Sequence, residues 1–327
     1  MHSKPIAVLL LVCAILVPKA VVAADAESYP SRPIKFVTPY GPGGGGDFVA
    51  RLLAEHVSKE LKQPIVVENK PGGSGTIGAD YVAKSAPDGY TVLLGYAAEI
   101  AIAPGLLPNI PYEPVKDFVP VTVAASYPLV LVTNPKLGLN TVDDIVAAAR
   151  RSGGNLAYAS SGSGSPAHIG FELLARSKGI SLLHVPYKGA GPALTDVLGG
   201  HVPMYFASVA PAVTSQIKSS QLRAVVVSTS RRAPTLPDVP GMAEAGVPNL
   251  DLDTWQVVLV PAGTPAAIVA RLNTEITKVL QRPEVARRLN EGGAHFKPMT
   301  PAEASKFIHG EIAKYRQAVR ELGIKPD

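Results

Sequence analysis

Cysteine is nearly absent from this chain of 327 residues. The single Cys13 lies close to the N-terminus. If that segment is removed, disulfides, thiolate catalysis and cysteine metal sites are all excluded. Tryptophan occurs once, and aromatic residues make up only 6%. Basic residues form short pairs such as Arg150-Arg151 and Arg231-Arg232, with no basic stripe and no interleaved aromatics. Nucleic acid is therefore not an expected partner. The histidines His56, His168, His184, His201, His295 and His309 lack metal-ligand spacing. After the N-terminal segment no apolar run is long enough to cross a bilayer, which takes about 20 residues. Three catalytic signatures are missing too. A P-loop needs lysine after its last glycine, and here Asp47 follows Gly46. The run Gly41-Pro42-Gly43-Gly44-Gly45-Gly46 fits Gly-x-Gly-x-x-Gly only as any glycine run does, and Pro42 inside the turn opposes a dinucleotide. Ser163 lacks the outer glycines of a hydrolase elbow. No catalytic residue, cofactor or metal is expected, and the chain does not read as an enzyme.

The N-terminus reads as a secretory leader over residues 1–24. Lys4 precedes an apolar run over 6–17, and small residues close it at Val22-Ala23-Ala24. Twelve apolar residues are too few to span a membrane, although an anchored N-terminal helix is the alternative. The expected location is outside the cytoplasm. The whole chain holds 31 basic and 26 acidic residues. Removing Lys4 and Lys19 leaves 29 against 26, a balance of +3 that draws anions only weakly. About 300 remaining residues exceed one typical core, so two lobes are expected.

Strand and helix signals alternate. Strands are predicted at 34–38, 65–68, 91–95, 119–124, 129–133, 156–160, 183–186, 204–207, 222–228 and 255–260. Between them stand amphipathic helices, the first carrying Phe48, Leu52, Leu53, Val57 and Leu61 at helical spacing. Thr141, followed by Asp143 and Asp144, starts another. Two amphipathic helices close the chain. This alternation implies an α/β fold with mainly parallel sheets flanked by helices.

Three strand-to-helix turns are built around runs of glycine and serine that hold no basic side chain. They are Pro39 to Asp47, Asn69 to Thr76 and Ser160 to Pro166. Glycine lets the backbone approach a ligand closely. A helix N-terminus offers unpaired N–H donors and partial positive charge. The turns recur in both halves, so two facing lobes can grip a small anion, such as a carboxylate, between helix N-termini. Hinged closure about segments 124–127 and 249–254 is the expected motion.

From Ile34 onward the chain resembles the substrate-binding proteins of tripartite tricarboxylate transporters, also called the Bug family. The resemblance rests on ordered motifs: Pro39-Tyr40-Gly41-Pro42-Gly43-Gly44 with Asp47, Val67-Glu68-Asn69-Lys70-Pro71-Gly72-Gly73, Pro87-Asp88-Gly89-Tyr90-Thr91, Lys116-Asp117-Phe118, Tyr158-Ala159-Ser160 with His168, Val185-Pro186-Tyr187-Lys188-Gly189, Leu236-Pro237-Asp238-Val239-Pro240 and Pro261-Ala262-Gly263-Thr264-Pro265. It implies a two-lobed periplasmic "Venus flytrap", with lobe I over 29–125 and 252–327 and lobe II over 126–251. It implies capture of a small organic acid by a monomer and transfer to a two-subunit membrane permease. The alternative is a periplasmic sensor that presents the solute to a signalling protein.

The resemblance also implies the site. Tyr40, Gly43, Gly44 and Gly45 with Ser74, Gly75 and Thr76 hold one carboxylate, partly through water. Ser161, Gly162, Ser165 and His168 face them, with Tyr187 and Lys188 nearby. Ala97, Ala207 and Ser208 shape the far end. The stretch Tyr96-Ala97-Ala98-Glu99 departs from the small hydroxylated residues frequent there, and Ser219-Ser220-Gln221 departs from a glycine-lysine pair. Plainer roles stay open. Asp47 can be a helix cap, His168 a hydrogen-bonded first-turn residue, Lys188 a solvated charge, Tyr187 or Tyr40 packing, and Asn69 and Lys70 turn formers. Glu99 would repel a carboxylate unless paired, or would accept an ammonium group.

Overall fold

The structure is a computed structural model that describes residues 28–42, 45–248 and 250–324. The leader with Cys13, Gly43 and Gly44 of the first turn, and Asn249 of the second crossing segment lie outside the described residues. In the first half, β1 (Ile34–Thr38) leads to α1 (Gly45–Leu61), β2 (Ile65–Asn69) to α2 (Thr76–Ala83), and β3 (Thr91–Tyr96) to a π-helix (Ala98–Ile102) continued by α3 (Ala103–Leu106). One turn, α4 (Pro114–Asp117), precedes the long β4 (Phe118–Thr133). The second half contains α5 (Val142–Arg151), β5 (Ala157–Ser160), α6 (Pro166–Lys178), β6 (Leu183–Pro186), α7 (Ala190–Gly199), β7 (Met204–Ser208), α8 (Pro211–Lys218) and β8 (Arg223–Val227). The chain then returns through β9 (Asp253–Pro261) and ends in α9 (Ala266–Leu280), α10 (Pro283–Glu291) and α11 (Pro301–Leu322).

Proline and glycine punctuate these helices as their backbone chemistry demands. Proline opens α6, α8, α10 and α11, where its missing N–H is no loss. Thr141 and Thr300 form capping boxes with Asp144 and Glu303. Left-handed Gly179, Gly200 and Gly323 end α6, α7 and α11.

The strands form two lobes on one shared strand. The path is β2-β1-β3-β9-β4-β7-β5-β6, with β8 also paired to β4. In each lobe three strands run parallel: β2, β1 and β3 in the first, β6, β5 and β7 in the second. The strands that carry the chain across are antiparallel. The sequence predicts two strands at 119–124 and 129–133, but they are a single strand. Residues up to Pro128 pair with β9, and Leu129 onward pairs with β7 and β8. The small and polar residues Ala125 and Ser126 broke the apolar pattern without breaking the ladder.

One apolar core lies under α1, α9 and α10 through Leu52, Leu53, Leu272 and Leu289. The other is continuous between the lobes, joining Leu93 and Ile100 to Tyr158 and Phe171 through Leu131, Val132 and Trp255. Helix α11 covers this junction. It packs on α3, β4 and α6, and Arg176 Nη1 of α6 donates to Glu321 O at 2.7 Å. Removing its capping box by Thr300→Ala should lower stability by about 1 kcal/mol. A urea unfolding midpoint equal to that of the parent would refute this.

Candidate functional site

The first glycine turn is pinned by an asparagine at the end of the neighbouring strand. Thr38 and Asn69 are register partners. Asn69 Nδ2 lies 3.2 Å from Thr38 Oγ1, 2.9 Å from Tyr40 O and 3.1 Å from Asp47 Oδ1. Arg51, one turn along α1, donates to both oxygens of Asp47 at 2.8 and 3.0 Å. The sequence reading allowed Asp47 as a cap ahead of the helix. It stands inside the first turn instead, because α1 already begins at Gly45. With its charge met by Arg51, the acid leaves the N-terminal dipole to the glycines. Gly46 must be glycine: an added Cβ would lie 1.1 Å from the Tyr96 hydroxyl.

The second turn has four consecutive residues at positive φ: Gly72 at 128°, Gly73 at 56°, Ser74 at 53° and Gly75 at 93°. Successive left-handed residues turn the backbone sharply, and only Ser74 lacks the freedom of glycine. Thr76 Oγ1 secures the turn by donating to Gly73 O at 2.7 Å. The Tyr40 hydroxyl lies 3.2 Å from Ser74 O, which joins the two turns directly.

Beneath both turns is Glu99, 0% exposed. Its Oε1 accepts a short hydrogen bond from Tyr96 N–H. Its Oε2 stands 3.1 Å from the Tyr40 hydroxyl. Tyr112 donates to the Glu99 carbonyl at 2.8 Å. Burial pushes the carboxyl pKa up to about 8, against the lowering by its hydrogen bonds from the backbone and Tyr40. The carboxyl is met by hydrogen bonds within the protein, from Tyr96 N–H and at the Tyr40 hydroxyl. Ala97 is buried in the same floor.

The facing turn in the second lobe is self-supporting. Ser160 Oγ accepts from Gly162 N at 3.1 Å and lies 2.7 Å from His184 Nε2. Ser165 Oγ caps α6 by accepting from His168 N. His168 Nδ1 accepts from Gly164 N at 3.1 Å, and its ring stacks on His184 at 3.8 Å. Through its ring Nδ1 and its backbone N–H, His168 supports the loop. Ser161 stands beside Tyr205 of β7, and Ala207 and Ser208 end that strand. Gly164 meets the first lobe closely: a Cβ there would lie 2.1 Å from Leu106 Cδ2.

The sequence-predicted residues thus separate into groups. Tyr40, Ser74 and Gly75 are joined by contacts, with Gly45 and Thr76 opening the adjacent helices. Ser161, Gly162, Ser165 and His168 share one loop. Tyr187 gives its hydroxyl to Asp196 at 2.5 Å, which directs it toward α7. Lys188 is exposed. Ser163 Oγ and Gln256 Oε1, outside the predicted set, are among the buried polar atoms without a hydrogen-bond partner in the described residues. Gln256 pairs with Tyr96 and Ala125 across β9, a relation that sequence spacing does not reveal. Among the described residues no acid, histidine and cysteine cluster could hold a metal, and no helix is long and apolar enough to cross a membrane.

Residues 49–324 match the family model described as "Tripartite tricarboxylate transporter family receptor". The chain belongs to this family. Its fold and family are those of solute-binding receptors, and the family is one of periplasmic binding proteins. BugT of Bordetella pertussis is 41% identical over 320 residues, covering 97% of this chain and 98% of BugT. Among solved structures, R. palustris Rpa4515 with adipate superimposes with a TM-score of 0.86 at 34% identity, covering 91% of this chain and all of that one. MatC from Rhodopseudomonas palustris with bound malate gives 0.81 at 32%, covering 89% of this chain and all of MatC.

The close approach at Gly75 is testable without ligand. A Cβ there would lie 2.8 Å from Glu99 Oε2 and 3.1 Å from the Tyr40 hydroxyl, whereas at Gly138, also at positive φ, nothing lies within 4 Å. Both substitutions to alanine carry left-handed strain of about 1 kcal/mol. Gly75→Ala should lower the melting temperature clearly more than Gly138→Ala; equal losses would show that the receptor's second turn has room to spare.

Proposed function

We propose that this receptor captures a small carboxylated organic solute between its lobes and hands it to a tripartite tricarboxylate-type permease of two membrane subunits. The observation that carries the reading is the pair of glycine turns on the first lobe, which offer backbone donors while the adjacent Asp47 is already matched by Arg51. The binding of adipate and malate by the similar proteins named above supports it. In this reading Tyr40, Gly43, Gly44, Gly45, Ser74, Gly75, Thr76 and Ala97 form one wall. Ser161, Gly162, Ser165, His168, Tyr187, Lys188, Ala207 and Ser208 form the other. Lobe I comprises 29–125 and 252–327, and lobe II comprises 126–251. Residues 1–24 direct export to the periplasm and are removed. The receptor works as a monomer and performs no catalysis.

A thermal-shift screen tests this. Mono- and dicarboxylates should raise the melting temperature and sugars should not. Binding only to the folded state contributes about 2.7 kcal/mol at a hundredfold excess over Kd. A response to sugars alone would overturn the reading. Gly162, at φ 129° and 3.5 Å from Tyr187 O for an added Cβ, belongs to the facing wall. Gly162→Val should weaken binding more than tenfold, about 1.4 kcal/mol, in a protein that still melts cooperatively. Unchanged affinity by calorimetry would remove this loop from the site. Saturating ligand should also reduce the radius of gyration in small-angle scattering, because a bridging ligand favours the closed lobes; superimposable curves at saturation would show a preformed cleft.

A further inference from the structure

One proton decides how the floor of the first lobe is wired. The Tyr40 hydroxyl lies 3.2 Å from Ser74 O and 3.1 Å from Glu99 Oε2. It has one hydrogen and faces two acceptors if Glu99 is ionised. Both contacts become full hydrogen bonds when Glu99 carries the proton. Glu99 then donates to Tyr40, and Tyr40 donates to Ser74 O. This chain ties the end of β3, through Tyr96 N–H on Oε1, to both glycine turns.

The surroundings favour the protonated form. The titratable groups facing the carboxyl are Tyr40 from the first turn, Tyr96 from β3 and Tyr112 from the segment before α4. Asp47 of α1 acts on Tyr96, and Asp80 of α2 on Tyr112. From α11, Arg316 packs on Gly105, farther along the helix that begins after β3. No lysine or arginine forms an ion pair with Glu99 among the described residues. The backbone of the second turn runs directly over the acid, since a Cβ on Gly75 would lie 2.8 Å from Oε2.

We infer that Glu99 is a positioning residue that must keep its proton for the two turns to hold an anion, so that solute capture is proton-linked. Losing the proton breaks the link to Ser74 O and places a like charge beneath the anion. The inference rests on the carboxylate reading of this site. The carboxyl, raised to about 8 by burial, sets the range in which the link operates. If only the protonated receptor binds, apparent affinity scales with the protonated fraction and falls about tenfold from pH 7 to pH 9.

The test compares the parent protein with E99Q, whose amide imitates the neutral acid and donates to Tyr40 at every pH. Calorimetric titrations with adipate and with malate between about pH 6 and 9 should show the parent weakening about tenfold above neutrality. The E99Q profile should stay flat within about twofold. Equal slopes for the two proteins would overturn the inference. A second reading needs no ligand. The folded pKa lies above the unfolded value, so the stability contribution of Glu99 is present below about pH 4.5 and is lost as pH rises to about 8. E99Q should therefore gain melting temperature relative to the parent across that window. Parallel melting profiles would refute the protonated state even if neither acid binds. Diverging profiles with no response to either acid would instead refute the carboxylate reading and uphold the proton on Glu99.

Discussion

The receptor depends on a strand that belongs to two sheets. β4 pairs with β9 as far as Pro128 opposite Asp253, and from Leu129 it enters the second sheet between β7 and β8. A buried hydroxyl locks the switch. Ser228 Oγ accepts from Leu129 N at 2.8 Å and donates to Leu252 O. Its own backbone donates to Leu129 O and accepts from Leu252 N. Ser126 and His295 add a reciprocal backbone pair. The two passages of the chain between the lobes run side by side at this lock. On one side of it the apolar core is unbroken, and α11 spans it, which limits how far the lobes can part without exposing apolar surface.

What could be read in the sequence follows from range. The βα alternation was legible because each unit carries its own periodicity, and the glycine turns were legible because they interrupt it. Thr141 announced its helix through acids within three positions, and the structure shows the same local signal at Thr300 with Glu303. Helices α8 and α10 were not legible as separate elements: α8 buries only Val213, and α10 only Val285 and Leu289. The π-helix after β3 lies beyond the strand predicted at 91–95, and its five residues are too few to show a period of their own. The site's supports are the least local part. Glu99 meets Tyr40 across 59 positions, and Asn69 meets Tyr40 across 29. Sequence spacing could nominate Asn69 as a turn former and Glu99 as a possible repulsion, but not the networks that make both of them supports of the same turn.

Those networks share an electrostatic logic. Each acid near the first lobe's turns is neutralised by a different route. Asp47 is held by Arg51 and Asn69. Glu68 bridges Lys35 and Lys70, and these cations hold its carboxyl below the usual range. Glu99 is raised by burial. In the second lobe Tyr187 and His201 hold Asp196 low. Cations near the first turns are consumed in the same pairs, so neither sign dominates through side chains. The remaining local polarity is that of the backbone at two helix N-termini, which is weak, directional and insensitive to side-chain rotamers.

That choice explains the strain the chain tolerates. Four successive positive φ angles and a fully buried carboxyl each oppose stability, and they lie within contact distance of one another. An engineered scaffold would avoid both. Here each makes the other possible: Gly75 leaves the space that Glu99 Oε2 occupies, and Glu99 gives Tyr40 the partner that lets it hold Ser74, the one non-glycine in the strained run. Local rules broken together in one place, and restored everywhere around it by caps, paired charges and packed strands, mark a segment shaped by its task and not by folding alone.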